Sequence, residues 1–226
     1  MKALVYTGTN ASEIRDVEVP EAGAGQCIVD VTFCGICGSD MHAWHGHDER
    51  RIPPLVLGHE AVGIARSGLH AGARVAINPL ISCGKCRACA SGDRHLCASR
   101  ELIGMRYPGA FAEQVMIPES NLTRLDDHLS FQDAALAEPL AVAVRTVGLA
   151  ESGGATRDSR SVILGGGAIG LLCAKVMKAG GYAPPRIAET NSLRRAMLEG
   201  LGLGDCYDPR DGGPVEGSVD LAMDAV

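Results

Sequence analysis

Residues Ser161–Gly170 read SVILGGGAIG, and this stretch decides how the second half of the chain folds. Ser161–Leu164 is a short apolar run bounded by glycine, which suits a buried strand rather than a helix. The run Ile169–Lys178 that follows, IGLLCAKVMK, carries apolar residues at helical spacing. Between them the glycines fall as Gly165-x-Gly167-x-x-Gly170, the spacing that makes a tight strand-to-helix turn. Such a turn aims the free amides of a helix N-terminus at a phosphate group. Gly165, Gly167, Ala168, Ile169 and Gly170 are therefore the candidate contacts for a dinucleotide pyrophosphate. The glycine spacing alone is weak evidence in a chain with 29 glycines, and the flanking strand and helix are what strengthen it.

Working outward from the turn, Arg186–Glu189 reads as a second strand, weakened by the preceding Pro184 and Pro185. Residues near Asp205–Tyr207 make a third, and Val219–Val226 a fourth. Glu189 falls where an acidic residue holds the adenosine ribose hydroxyls, about 20 residues beyond the turn. A carboxylate there repels a 2′-phosphate, so NAD is expected over NADP. Arg194 and Arg195 either soften that preference or lie on the first turns of a solvated helix.

Upstream of about residue 123 the texture is different. Short β-like runs (Ala3–Tyr6, Cys27–Phe33, Ala61–Ala65, Arg74–Ile77 and Ala112–Ile117) alternate with Gly and Pro turns, which predicts an irregular β barrel. Residues 133–150, DAALAEPLAVAVRTVGLA, read as a helical connection broken near Pro139, since proline lacks the N–H donor and clashes inside a helix. The expected domains are 1–147, zinc-binding and β-rich, and 148–226, a partial doubly wound α/β sheet.

Two metal centres are legible in the β-rich part. CGKCRACASGDRHLC places Cys83, Cys86, Cys89 and Cys97 as C-x2-C-x2-C-x7-C. Four soft thiolates close a tetrahedral structural zinc site and leave no position for substrate. An iron-sulfur run has a shorter last gap and a following proline, whereas Ala98 follows here. The second set, Cys37, His59 and Glu60, supplies one thiolate, one imidazole and one carboxylate, which leaves a fourth position open as a catalytic zinc site requires. Singly, each has an ordinary alternative as a buried thiol, a core imidazole or a surface carboxylate.

With CGICGSDMH, GHE, the four-cysteine lobe and the glycine turn in this order, the chain resembles the medium-chain zinc dehydrogenase family over essentially all of its 226 residues. The resemblance implies a GroES-like catalytic domain joined to a Rossmann domain, with Cys37 and His59 as zinc ligands and Asp40 orienting His59. Glutamate at Glu138, where the alcohol-dehydrogenase branch often carries cysteine, resembles the sorbitol, threonine and related dehydrogenases. Glu60 is then the third ligand, and Glu138 lies beside the metal, bonding a water or exchanging with Glu60. The order of the two is left open. Ser39 and His42 fall at the family's hydroxyl-to-histidine proton relay, though either also fits as a loop residue bonding its own backbone. Trp44, His45 and His47 follow on the same loop, lining the substrate pocket or exposed to solvent. The resemblance implies hydride transfer from a secondary alcohol of a polyol, sugar alcohol or similar small molecule to NAD, with an L-threonine dehydrogenase as a further option, and a homo-oligomer in the full-length family.

Composition sets the remaining bounds. The formal net charge is −6 at 46% hydrophobic residues, with a pI near 5.6. This argues against nucleic acid and anionic membrane as partners. No export signal or long uncharged apolar run is visible, which leads to the expectation of a cytoplasmic protein. Nine cysteines then read as metal ligands and buried thiols, the latter Cys27, Cys34, Cys173 and Cys206. VDLAMDAV looks like strand four of a six-stranded sheet, so a truncated, non-catalytic zinc- and nucleotide-binding remnant stands as the alternative to an enzyme.

Overall fold

The computed structural model describes residues 1–226, which divide into two compact units, Met1–Glu138 and Pro139–Val226. The first contains β1 (Lys2–Gly8), β2 (Ala11–Asp16), β3 (Gln26–Gly35), α1 (Gly38–Trp44), β4 (Leu55–Val56), β5 (Glu60–Ala65), β6 (Arg74–Ile77), β7 (Leu80–Ile81), α2 (Arg87–Ala90), β8 (Glu101–Leu102), β9 (Gln114–Pro118), β10 (Leu122–Arg124) and α3 (Phe131–Ala134). Strands β10-β6-β5-β3-β9 form a curled antiparallel sheet, β2-β1-β4 a smaller one, and β7-β8 a two-stranded ladder at the cysteine lobe. This is the irregular β barrel anticipated from the sequence. Its core gathers Cys27, Val29, Ala61, Val75, Ile103, Val115 and Ile117, whose alternation along the strands turns one face of the sheet inward.

The second unit begins in the first turn of α4 (Ala137–Ser152). It continues through β11 (Ser161–Leu164), α5 (Ala168–Ala179), β12 (Arg186–Ala188), α6 (Ser192–Gly200), β13 (Asp205–Tyr207) and β14 (Leu221–Asp224). The sheet runs β13-β12-β11-β14 with every pairing parallel, the 3-2-1-4 order of a Rossmann sheet. Ile163, Ile187 and Met223 from three strands pack with Leu172, Cys173 and Met177 of α5 and Leu198 of α6.

Two readings change. The unit division lies upstream of residue 147, because Ala143 and Val147 on α4 pack into the core of the second unit. The helix is not broken at Pro139 either. Pro139 sits in its first turn, where no intrahelical N–H donor is required, and the interruption falls at Ala135 and Leu136, between α3 and α4. No helix is long and apolar enough to cross a membrane.

Candidate metal and dinucleotide sites

The first centre grows from the junction of β3 with α1. Cys37 is the N-cap of α1, and Asp40 at the third helical position returns its Oδ2 to accept from the Cys37 amide at 3.0 Å, so the helix start is pinned at the thiol. Oδ1 of the same carboxylate, 2% exposed, faces the Gly58 amide at 3.4 Å and His59 Nδ1 at 3.5 Å. Nδ1 has no closer polar partner. His59 and Glu60 are presented by the turn into β5, where Gly58 takes φ +91° and a side chain there would strike the Phe111 ring. Glu60 pairs with Gly35 across β3 and β5, and its carboxylate lies against the bare Cα of that glycine.

The ligand atoms of Cys37, His59 and Glu60 all lie within 4.8 Å of one another. A tetrahedral zinc with bonds of roughly 2.0–2.3 Å needs donors ~3.3–3.8 Å apart, so small side-chain shifts close this set on one ion. The electrostatics suit it. Burial opposes a charge on His59, but Asp40 and Cys37 outweigh it and carry the imidazole up to about 10. His59 and Ser39 pull the Cys37 thiol below its ordinary range. Burial pushes Glu60 up, with His59 acting the other way. Glu138, half-buried, is also raised by burial, and it feels His59, Glu60 and Asp40, which puts its carboxyl in electrostatic reach of the centre.

The second centre is closed by protein alone. Cys83, Cys86, Cys89 and Cys97 bring their sulfurs within 4.8 Å of one another, with Cys86–Cys89 at 3.5 Å and Cys83–Cys89 at 3.9 Å. A zinc with ~2.3 Å bonds to sulfur requires edges of about 3.8 Å, so the four thiols fit it almost as they stand. The amides of Lys85 and Cys86 draw the Cys83 thiol down to about 6, favouring the thiolate.

Ser39 and His42 face a common cavity of about 610 Å³ together with His47 and Asp48. No hydrogen bond joins Ser39 to His42. The Ser39 hydroxyl instead accepts from Arg51 Nη2 at 3.1 Å. Of the other loop residues, Trp44 turns into a separate apolar hollow with Tyr6, Leu57 and Phe111, and His45 Nδ1 meets Asn10 Oδ1 at 3.0 Å. Arg51 gave no sequence signal. It reads as one more loop cation in DERRIPP, and only the folded chain shows it buried.

In the second unit the glycine turn has a distinct reason at each position. Gly165 has φ +95°, and a Cβ at Gly170 would lie 1.9 Å from the Gly165 carbonyl oxygen, so both are required by the backbone. Gly166, which the spacing pattern treats as a free position, is also required, since a Cβ there would meet Leu198 Cδ1 at 2.7 Å and Glu189 Cβ at 3.1 Å. Gly167 is different: its Cβ would project into open space, with Arg194 Nη1 nearest at 4.0 Å. It caps α5 without any side-chain hydrogen bond, leaving a bare backbone cradle at a helix N-terminus. That cradle, which a Cβ would partly fill, fits a pyrophosphate.

Glu189, 6% exposed, directly follows β12 beside the turn. Its Oε2 accepts from the Gly166 amide at 2.9 Å and its Oε1 from the Asn191 amide at 2.7 Å, with Arg194 Nη1 3.6 Å away. Burial opposes its charge, but those amides and Arg194 hold the carboxyl below its usual range. Arg195 donates to the Glu189 carbonyl at 2.6 Å and to Asp208 at 3.1 Å.

Comparison with known proteins finds similarity to dehydrogenases. Residues 23–127 match the family model for the alcohol dehydrogenase GroES-like domain. The L-threonine 3-dehydrogenase of Pyrococcus horikoshii is 32% identical over 93% of this chain, which spans 62% of that protein's length. Among solved structures, a Sinorhizobium meliloti 1021 protein assigned as a zinc-binding dehydrogenase and bound to NADP is 32% identical with a TM-score of 0.88, covering all of this chain and 69% of its own. A short chain alcohol dehydrogenase from Escherichia coli CFT073, complexed with NADH, is 28% identical with a TM-score of 0.89 at 100% and 69% coverage.

Proposed function

This chain belongs to the medium-chain zinc dehydrogenase family, and on that premise we propose that it serves an NAD-linked oxidoreductase acting on a secondary alcohol of a polyol, sugar alcohol or similar small molecule. The observation that carries the reading is the convergence of Cys37, His59 and Glu60 on one point, with Asp40 behind the imidazole. When bound, zinc supplies Lewis-acid polarisation of a hydroxyl oxygen, and the nicotinamide cofactor supplies the hydride acceptor.

The residues of the chain divide the remaining work. Cys37, His59 and Glu60 hold the metal, and Asp40 keeps the His59 ring in the orientation that presents its other nitrogen. Ser39 Oγ accepts the proton of the reacting hydroxyl as it releases its own, which exposed His42, across the same cavity, carries to solvent. Glu138 alternates with Glu60 at the metal or bonds a water beside it. Cys83, Cys86, Cys89 and Cys97 hold a structural zinc. Gly165, Gly167, Ala168, Ile169 and Gly170 take the pyrophosphate, and Glu189 takes the adenosine ribose.

An L-threonine-type substrate is the second reading, favoured by the similarity to the Pyrococcus enzyme. A panel of the zinc-loaded protein with butane-2,3-diol, sorbitol and L-threonine separates the two. A polyol with at least ~10-fold higher kcat/KM than L-threonine, about 1.4 kcal/mol of transition-state preference, supports the first reading. The reverse order supports the second, and no nicotinamide reduction with any alcohol removes both.

A further inference from the structure

Arg51 lies in the irregular segment between α1 and β4, where a lone arginine ordinarily reaches solvent, yet its side chain is only 1% exposed. Its three nitrogens reach α1, the Gly104 backbone and its own segment. Nη2 donates to Ser39 Oγ at 3.1 Å, Nε to the Gly104 carbonyl at 3.0 Å, and Nη1 to Asp48 Oδ2 at 2.5 Å. Gly104 in turn rests on the backbone of Gly58, with only about 3.0 Å between its Cβ position and the Gly58 carbonyl oxygen, and Gly58 precedes His59. One planar fork thus spans the start of α1, which carries Cys37 and Ser39, and the turn that presents His59.

The consequence for Ser39 follows from donor counting. A hydroxyl has one proton and two lone pairs, whereas a guanidinium only donates. With Arg51 on the acceptor side, one lone pair is taken and the Ser39 proton has to point away from the guanidinium. The Asp48 carboxylate, shared with the exposed Arg50, anchors the guanidinium that holds Ser39.

We infer that Arg51 is a positioning residue that fixes the Ser39 side chain with its proton and remaining lone pair turned away from the guanidinium. The inference rests on the dehydrogenase reading above for its catalytic consequence, but not for its geometry. An arginine suits the task because its rigid fork reaches Ser39, Gly104 and Asp48 at fixed angles, which a lysine ammonium cannot do.

The test pairs a structural with a kinetic readout on the zinc-loaded full chain. Side-chain NMR couplings of labelled serine give the Ser39 χ1 rotamer in the wild type and in Arg51→Lys, with Arg51→Gln used if the lysine variant unfolds. The expected result is one fixed rotamer in the wild type and averaging in the variant. In alcohol oxidation, Arg51→Lys is expected to lower kcat about tenfold, part of the ~10²-fold that a positioned proton carrier supplies, with KM and zinc content little changed. The same substitution placed in Ser39→Ala should cost nothing further. A single retained rotamer in the variant, or an equal loss in the Ser39→Ala background, overturns the inference. If neither the wild type nor any variant oxidises an alcohol, the dehydrogenase reading fails, and the rotamer measurement alone decides the role of Arg51.

Discussion

Asp40 is the residue on which the candidate catalytic centre turns. It is buried, it caps α1 at Cys37, and it faces both the Gly58 amide and His59 Nδ1. Removing its charge while keeping its shape therefore acts on two ligands at once. Asp40→Asn is expected to weaken zinc at the first centre by about 10- to 100-fold, the usual effect of losing such an outer partner, while the four-cysteine lobe keeps its ion. Competition with a chelator measures both affinities, and an unchanged weaker site would show that Asp40 serves only the helix cap. Glu189 poses a parallel question, because its two oxygens already accept from Gly166 and Asn191. If it also reads the ribose, Glu189→Gln should weaken NAD more than NADP, since the carboxylate both accepts from the hydroxyls and repels a 2′-phosphate. An equal loss for the two cofactors would restrict Glu189 to holding the turn. At this scale, the two side-chain clusters that the fold assembles were legible in CGICGSDMH, GHE and CGKCRACASGDRHLC. Arg51 was not, because burial of a loop cation depends on Ser39, Gly104 and Asp48, all distant or unremarkable in sequence.

Among the elements, the strand-turn-helix of Ser161–Ala179 was the most legible, although the spacing does not show the packing role of Gly166. The spacing rule singles out Gly165, Gly167 and Gly170, whereas packing requires Gly165, Gly166 and Gly170 and leaves Gly167 open. Two alanine variants separate the roles. Gly166→Ala forces a methyl against Leu198 and Glu189 and should cost ~1–3 kcal/mol of stability, seen as a lower Tm with or without cofactor. Gly167→Ala meets no protein atom closer than 4.0 Å and has an allowed φ of −73°. It should unfold like the wild type but bind NAD more weakly in calorimetry. Strand β2 was illegible for a different reason. ASEIRD is exposed throughout and has one aliphatic side chain beyond its alanine, so no apolar alternation marks it. It is held by its ladder to β1 and the tight turn at Asn10, φ 57°, not by burial. Pro139 misled in the opposite direction, since a residue that breaks a helix interior is welcome in its first turn.

For the whole molecule, the order of the two units and the class of each were readable because their periodicities differ, alternation in the first and strand-helix repetition in the second. Where one ends was not, because Ala143 and Val147 look like any apolar helix face until the core they join is known. The chain spans 62% of the length of the Pyrococcus threonine dehydrogenase and 69% of the two solved relatives, so catalysis by these 226 residues is a matter for experiment. The most direct measurement is alcohol-dependent NADH formation by the zinc-loaded protein, wild type beside Cys37→Ala. The account predicts NADH from the wild type with at least one secondary alcohol and none above background from the variant, which should retain one zinc at the cysteine lobe. Equal rates from the two proteins would contradict the assignment of Cys37, His59 and Glu60 as the catalytic metal centre.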